Sequence, residues 1–135
     1  MRLMGLDYGT KRVGIALSDE AGALAFPETT LLNAGKLLER LSSLAKEKGV
    51  ERIILGQSLD FKNKPNKLMK GIADLKMALE SAGFTIVYEP EHMTSAAAAR
   101  IQGKGDNIDA SAAALILQSY LDKMKHSGSG NERVA

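Results

Sequence analysis

The order of the apolar segments constrains the fold of this chain more than any other feature. The first two segments, residues 2–6 and 12–17, are short runs rich in Leu, Ile and Val, and a turn at residues 9–11 separates them. Short runs joined by a glycine-containing turn predict a tight β-hairpin. A third run, residues 21–32, contains Pro27, which a central strand does not tolerate. We therefore expect the third strand to be irregular or to lie at an edge of the sheet.

The periodicity changes after the third run. Leu37, Leu41 and Leu44 recur at helical spacing with charged residues between them, which predicts an amphipathic helix that ends at Gly49. The chain continues with a strand, a second amphipathic helix and a fifth strand, at residues 50–55, 68–79 and 84–88. This order predicts a mixed α/β sheet, in which hairpins join the early strands and helices cross over between the later ones.

The last part of the chain has helical patterns. The alanines at 96–99 favour a helix up to Gly103, and residues 108–124 are apolar over most of a helical circumference, which predicts a buried helix. A chain of 135 residues with 44% apolar content can form one continuous core. We expect one domain over residues 1–125 and, because the end is rich in Gly and Ser, a disordered tail over residues 126–135.

Composition narrows the possible chemistry. The chain contains no cysteine, which excludes disulfides, thiolate metal sites and thiol nucleophiles and favours metals with oxygen ligands. No segment approaches the roughly 20 consecutive apolar residues of a membrane helix, and Asp7 precedes any signal-peptide core. We expect a cytoplasmic protein with no membrane partner. The net charge of +2 is too small to indicate a nucleic-acid partner by itself.

Asp7 lies where the first apolar run ends and the turn begins. An ordinary turn residue, whose carboxylate accepts backbone hydrogen bonds, would explain this position equally well. A metal site requires partners, because Mg²⁺ binds one or two carboxylates together with waters and phosphate oxygens. The acidic candidates are Glu89, Glu91 and Asp109.

Each candidate has an alternative explanation. Glu89 and Glu91 lie at the end of the last strand, and their side chains point the same way if the strand continues through Pro90. Only one of them need be a ligand, and their spacing leaves the choice open. Asp109 lies at the start of the last helix, where it could instead cap the helix or complement its dipole.

Three carboxylates suit phosphodiester hydrolysis. Two cations about 4 Å apart, bridged by one carboxylate, would generate the attacking hydroxide and neutralise the leaving oxygen. Lys11 and Arg12 share the turn that carries Asp7, so they are placed to contact phosphates. Binding of nucleic acid through such groups weakens steeply with salt.

Three segments of the chain resemble the signature blocks of the YqgF (RuvX) family: LDYGTKRVGIALSD at the start, EHMTSAAAA after the last strand and NIDASAAALILQSYLD near the end. The resemblance covers about residues 2–124. That family comprises RNase H-like proteins described as Holliday-junction resolvases and as pre-16S ribosomal RNA nucleases. The resemblance implies an RNase H-like α/β fold, with a central mixed five-stranded sheet and helices on both faces.

The resemblance also implies an activity and a site. By motif match, the catalytic and metal-binding carboxylates fall on Asp7, Glu91 and Asp109, with Mg²⁺ or Mn²⁺ as the cofactor. The implied enzyme is a two-metal-ion endonuclease that hydrolyses phosphodiester bonds in structured nucleic acid. Its reaction would be 5′ end processing of pre-16S rRNA, within ribosome biogenesis, or Holliday-junction resolution.

The second block departs from the family pattern. Pro90 and His92 replace the usual Asp and Arg, and the loop from Gln57 to Lys67 lacks the usual Asp-Gly-rich stretch. An imidazole at position 92 could still contact a phosphate, although a lone surface His is more often only solvated. Thr94 and Ser95 could contact a phosphate, and one of them could instead cap the alanine-rich helix. The predicted substrate-binding residues are Lys11, Arg12, His92, Thr94 and Ser95.

Two other functions fit parts of the sequence. Asp7, Gly9, Thr10 and Gly14 also resemble the first phosphate loop of the sugar-kinase, actin and chaperone ATPase superfamily. Those proteins enclose a nucleotide between two domains, whereas this chain has the length of one. A catalytically decayed RNase H-like module that binds nucleic acid or protein is the other alternative, and the three retained carboxylates argue against it.

The sequence leaves the substrate and the assembly open. Structured RNA and branched DNA both fit, because Arg and Lys read the phosphates of either. A monomer and a homodimer also both fit, since the chain has no heptad seam that would specify an interface.

Overall fold

The computed structural model describes the backbone of residues 2–58, 68–91 and 106–134 and the side chains of residues 2–57, 68–90 and 109–125. Five strands form one sheet: β1 (Arg2–Tyr8), β2 (Arg12–Ser18), β3 (Ala25–Leu32), β4 (Val50–Ser58) and β5 (Thr85–Glu91). The helices in these ranges are α1 (Leu37–Glu47), α2 (Met69–Ser81) and α3 (Asp106–Val134). The predicted helix at 96–103 lies outside the described residues.

The sheet is mixed, as the order of the segments predicts. Its strands are arranged β3-β2-β1-β4-β5, with β1, β2 and β3 antiparallel and with β1, β4 and β5 parallel. The hairpin between β1 and β2 is confirmed, but β1 continues to Tyr8, so Asp7 lies inside the strand and pairs with Gly14. The predicted placement of Asp7 after the strand is therefore wrong, and the predicted strand end is two residues short, because cross-strand pairing extends beyond the apolar run.

The third strand is an edge strand and is irregular, as Pro27 predicts. The register changes between Ile15, which pairs with Thr29, and Ala16, which pairs with Pro27, so Glu28 is the extra residue of a β-bulge. Proline is tolerated here because an edge strand has one side without a neighbouring strand.

One face of the sheet packs against α1 and α2. Alternate residues of the strands and the apolar stripes of both helices form a cluster of large aliphatic side chains: Met4, Leu6, Val13, Ile15, Leu17, Leu37, Leu41, Ala45, Val50, Ile53, Leu55, Ile72, Leu75, Leu79 and Ile86. Each fully buried Leu or Ile contributes roughly 2 kcal/mol through removal of apolar surface from water. Both helices end at the predicted glycines, since Gly49 and Gly83 have φ values of 68° and 101°.

The other face packs against α3, which crosses β1, β2 and β3. This second cluster is smaller and includes Leu3, Ala16, Ile54, Ala113 and Leu117. Because successive side chains of a strand point to opposite faces, the two clusters lie on opposite sides of the sheet. Helices therefore cover both faces, which confirms the predicted architecture.

Glycine allows α3 to lie close to the sheet. A Cβ atom at Gly5 would lie 2.7 Å from Leu117 Cβ and 2.8 Å from the carbonyl oxygen of Ala113. At Gly14 a Cβ atom would overlap the carbonyl oxygen of Asp109. Any side chain at these two positions would push the helix away from the strands.

The last helix is longer than the apolar pattern predicts. It is assigned over Asp106–Val134 and includes residues 126–134, for which the sequence predicts a disordered tail. The division of the chain at residue 125 stays a prediction. None of the helices in the described ranges is long and apolar enough to span a bilayer.

Candidate nuclease site

The carboxyl ends of the three parallel strands meet at one edge of the sheet. In the register of these strands, Leu6 pairs with Leu55 and Ser58 pairs with Glu91. Asp7 is one residue beyond Leu6 in β1. Open α/β sheets bind ligands at this edge, because the loops and helix ends that follow the strands converge there.

Asp7 lies on the face of the sheet that α3 covers. Leu3 belongs to the cluster under α3, and the position of Gly5 abuts the same helix, whereas Leu6 belongs to the opposite cluster. By the alternation of the strand, Asp7 shares the face of Leu3 and Gly5. Its side chain is partly buried.

Gly14 brings Asp7 and the first turn of α3 together. It is the cross-strand partner of Asp7, and the carbonyl oxygen of Asp109 lies where a Cβ atom of Gly14 would be. Directly paired residues of antiparallel strands are about 5 Å apart. The backbones of two of the three predicted acidic residues, Asp7 and Asp109, are therefore neighbours in the fold, although these residues are 102 positions apart in the sequence.

Asp109 forms an ion pair with the guanidinium of Arg12, but one of its oxygens accepts no hydrogen bond from a described residue. Arg12 Nε lies 2.9 Å from Asp109 Oδ2, in an ion pair between side chains that are 44% and 23% exposed. The N–H of Arg12 is not directed at this oxygen, so Oδ2 is buried without a hydrogen bond from any residue that the structure describes. The contact is thus electrostatic and lacks hydrogen-bond geometry.

The turn that carries Lys11 and Arg12 is fixed by a residue that the sequence analysis did not identify. Asn33, just after β3, donates from its side-chain amide to the carbonyl oxygen of Gly9 over 2.7 Å. Its backbone N–H donates to the carbonyl oxygen of Lys11 over 2.8 Å. Asn33 therefore holds both predicted basic residues at the edge where Asp7 lies; an Asn that follows a strand is too common a pattern to reveal this role.

Glu89 is engaged by α3. Its side chain is 4% exposed, and Oε2 accepts a hydrogen bond from Ser119 Oγ over 2.8 Å and pairs with Lys123 Nζ over 2.7 Å. A buried carboxylate needs such partners to offset its loss of hydration. The two contacts fix the end of β5 against α3, on the same helix that carries Asp109.

The rest of the predicted site is described only in part. β5 continues through Pro90 to Glu91, as the shared orientation of Glu89 and Glu91 required, but the side chain of Glu91 is not among those described. His92, Thr94 and Ser95, and the loop residues 59–67, lie outside the described ranges. Among the described side chains, no three acidic or His groups converge as a metal site.

The residues that do converge fit a hard divalent cation. Asp7 and Asp109, whose backbones are neighbours, both carry oxygen ligands, and Asp109 Oδ2 is a buried acceptor without a hydrogen bond among the described residues. A buried carboxylate oxygen of this kind is satisfied by an ion or a directed donor. In the described ranges, the other buried side-chain atoms in this condition are the Nε atoms of Arg2 and Arg52, which are donors and not ligands.

Comparison with solved structures supports the fold. The structure "T. thermophilus RuvC in complex with Holliday junction substrate" aligns with a TM-score of 0.58 at 13% identity and covers 93% of this chain and 96% of that one. A second structure of Thermus thermophilus RuvC aligns with a TM-score of 0.57 at 11% identity. This likeness establishes an RNase H-like fold.

Sequence comparison is more specific. Proteins of Lactococcus lactis subsp. lactis and Oenococcus oeni, both named "Putative pre-16S rRNA nuclease", are 35% and 36% identical to this chain. Their alignments cover 90% and 91% of this chain and 94% and 95% of the relatives. The profile of the family described as "RuvX: Holliday junction resolvase" matches residues 1–123. The chain belongs to the RuvX family.

Proposed function

We propose that this protein is a divalent-metal-dependent endonuclease that hydrolyses phosphodiester bonds in structured nucleic acid. The observation that carries the proposal is the unsatisfied, buried Oδ2 of Asp109 beside the strand position that pairs with Asp7. The nuclease names of the relatives and the RuvC likeness support the same chemistry.

The carboxylates of Asp7, Glu91 and Asp109 would hold Mg²⁺ or Mn²⁺. Asp7 would be the central ligand, because β1 is the middle strand of the sheet. Bound cations supply Lewis-acid catalysis for the attack of water on phosphorus and for departure of the leaving oxygen. A charged ligand set at the sheet edge keeps its geometry because buried packing beneath it fixes the strands.

The basic residues of the turn would position the substrate. Lys11 is exposed and Arg12 is 44% exposed, so both can contact phosphates without leaving a buried pocket. A guanidinium can hold two phosphate oxygens at once, which orients the backbone as well as attracting it. His92, Thr94 and Ser95 would contact the substrate from the segment after β5.

The names of the relatives favour pre-16S rRNA as the substrate. Processing of its 5′ end would place the enzyme in ribosome biogenesis in the cytoplasm. The RuvC structure with its junction favours four-way DNA. Both substrates present closely spaced phosphates at a branch or a helix end, which suits a positively charged turn. Either a monomer or a homodimer would be consistent with this function.

The test is a side-by-side cleavage assay of a four-way DNA junction and a pre-16S rRNA fragment with Mg²⁺ or Mn²⁺. We expect Asp7→Asn and Asp109→Asn to lower the cleavage rate by more than about 1,000-fold, because each removes a ligand charge from the site. Asp74→Asn, on the exposed side of α2, is the matched control and should cleave at the wild-type rate.

Calorimetric titration with Mn²⁺ tests the metal site separately. Wild-type protein should bind Mn²⁺, and Asp7→Asn should bind it at least about tenfold more weakly, since a carboxylate ligand is lost. Folded protein that cleaves neither substrate, or Mn²⁺ binding that Asp7→Asn does not affect, would contradict the proposed function.

A further inference from the structure

Arg12 stands between two roles that cannot be performed at once. Its Nε atom lies 2.9 Å from Asp109 Oδ2, an oxygen that the proposed function assigns to a cation. The same side chain is 44% exposed at the edge where a phosphodiester would approach. A guanidinium in contact with Asp109 and a divalent cation on the same oxygen exclude each other by charge and by space.

The contact between Arg12 and Asp109 is suited to exchange. Ion pairs between partly exposed side chains are weak, because water screens the charges and the long side chain loses conformational freedom. The pair also lacks a directed hydrogen bond, since Oδ2 accepts none among the described residues. A divalent cation, which has twice the charge of a guanidinium and concentrates it on one atom, would interact more strongly with the same oxygen.

The geometry around the pair limits how it can rearrange. Asp109 cannot move further towards the sheet, because its backbone carbonyl already lies against Gly14, and the packing of α3 on the strands holds it in place. Arg12 is the first residue of β2, beside a turn that Asn33 holds, so its backbone is fixed while its long side chain can turn towards solvent. The movable partner is therefore the guanidinium.

We propose that Arg12 is an exchangeable counter-ion. Its guanidinium neutralises the charge of Asp109 until a divalent cation binds that carboxylate, and the guanidinium then binds a phosphate of the nucleic acid. The proposal rests on the metal site of the proposed function. It predicts that cation binding and nucleic-acid binding strengthen each other through Arg12, and by linkage the factor is the same in both directions.

Calorimetric titration with Mn²⁺ in the absence of nucleic acid tests the first half. Arg12→Gln removes the competitor, so we expect it to bind Mn²⁺ about tenfold more tightly than the wild type. Arg12→Lys, which keeps the charge, should stay close to the wild type. Lys11→Gln is the matched control, because it removes the same charge from the same turn but has no ion pair with a described residue, and it should change the affinity by no more than about twofold.

Binding of a fluorescent four-way DNA junction, with and without Ca²⁺, tests the second half. Ca²⁺ takes the same kind of oxygen ligands. The salt dependence of wild-type binding should steepen by about one phosphate contact when Ca²⁺ is present, and Arg12→Gln should lose this increment. A structural ion pair would not make the contribution of Arg12 depend on the cation.

The outcomes separate the inference from the function on which it rests. If the wild type binds Mn²⁺ but Arg12→Gln binds it no more tightly than Lys11→Gln, the counter-ion exchange is wrong and the nuclease function is untouched. If the wild type binds no Mn²⁺, both are wrong. Thermal unfolding confirms that each variant is folded, and Arg12→Met replaces Arg12→Gln in the comparison if the latter does not fold.

Discussion

The two faces of the sheet are built from different kinds of residue. Under α1 and α2 the strands present large aliphatic side chains such as Leu6, Ile15 and Ile53, all fully buried. Under α3 they present fewer large side chains, Leu3 and Ile54, together with small residues such as Gly5 and Gly14 and the acidic residues Glu89 and Asp7. Both faces belong to the same five strands, so the difference comes entirely from which alternate positions carry which side chains.

The comparison separates stability from chemistry. The face under α1 and α2 supplies most of the apolar burial and contains no candidate ligand among its described residues. On the face under α3, glycines replace larger side chains, so that the helix can bring Asp109 close to β1 and β2. Close approach without bulky side chains leaves room for charged groups, and their cost is offset by the burial on the other face.

The largest effect is expected from a substitution at Gly14, where α3 lies closest to the sheet. Gly14→Ala places a Cβ atom on the carbonyl oxygen of Asp109, and a backbone atom cannot move without shifting α3. We expect the free energy of unfolding to fall by at least about 3 kcal/mol. The affinity for Mn²⁺ should fall about tenfold in protein that remains folded, because Asp109 moves away from Asp7. Chemical denaturation and calorimetry measure the two quantities.

Gly35→Ala is the control for Gly14→Ala. A Cβ atom at Gly35 meets nothing within 4 Å, and its φ is 55°, so the only cost is conformational. We expect a loss of about 1 kcal/mol and unchanged Mn²⁺ affinity. Equal losses for the two variants would show that contact with α3 is not what requires glycine at position 14.

The next effect tests the opposite face. Leu41→Ala deletes a fully buried side chain of α1 and should lower the free energy of unfolding by about 3 kcal/mol. Mn²⁺ affinity of the folded protein should stay within about twofold of the wild type. If Leu41→Ala keeps its stability but loses Mn²⁺ binding, the assignment of stability to the face under α1 and α2 and of metal binding to the face under α3 is wrong.

A smaller effect is expected at Glu89, the buried carboxylate on the face under α3. Glu89→Gln removes the ion pair with Lys123, which is 62% exposed, but keeps an acceptor for Ser119 Oγ. We expect a loss of about 1 kcal/mol by urea denaturation, because exposure of Lys123 weakens the pair. Mn²⁺ affinity should change by less than about twofold. A loss of Mn²⁺ binding comparable to that of Asp7→Asn would make Glu89 a ligand.

The smallest effect lies in the turn after β2, away from either face. Backbone N–H groups of Ala23 and Leu24 donate to Asp19 Oδ1 and lower the pKa of this carboxyl below its ordinary value of 3.8. Its contribution to stability is therefore present above pH 3.8 and is lost as the pH falls through the lowered pKa. Asp19→Asn should be less stable than the wild type at pH 7, and denaturation at decreasing pH should show the difference shrink below pH 3.8.

Much of this fold could be predicted from local patterns. The hairpin turn, the amphipathic helices with Gly49 and Gly83 at their ends, and the edge position of the strand with Pro27 each depend on neighbours in the sequence. Strand ends were less well predicted. β1 extends to Tyr8 because its pairing with Val13 adds hydrogen bonds that no apolar pattern records.

The site was harder to predict because its contacts are long-range. Asp109 could be an ordinary helix cap in sequence terms, and only the fold shows Arg12 against its carboxylate. Glu89 and Glu91 look equivalent in sequence, and only the fold shows that Ser119 of α3 donates a hydrogen bond to Glu89. In the sequence, Gly14 is noted only for its resemblance to part of a phosphate loop. In the fold, its lack of a side chain lets α3 lie close to β2.

Both outer strands of the sheet contain a proline, Pro27 in β3 and Pro90 in β5. A proline has no amide hydrogen, so a strand from another molecule that paired alongside it would lack a donor at that position. Natural proteins use this device to keep sheets from joining edge to edge. The proline at position 90 places this device at the sheet edge next to the candidate site.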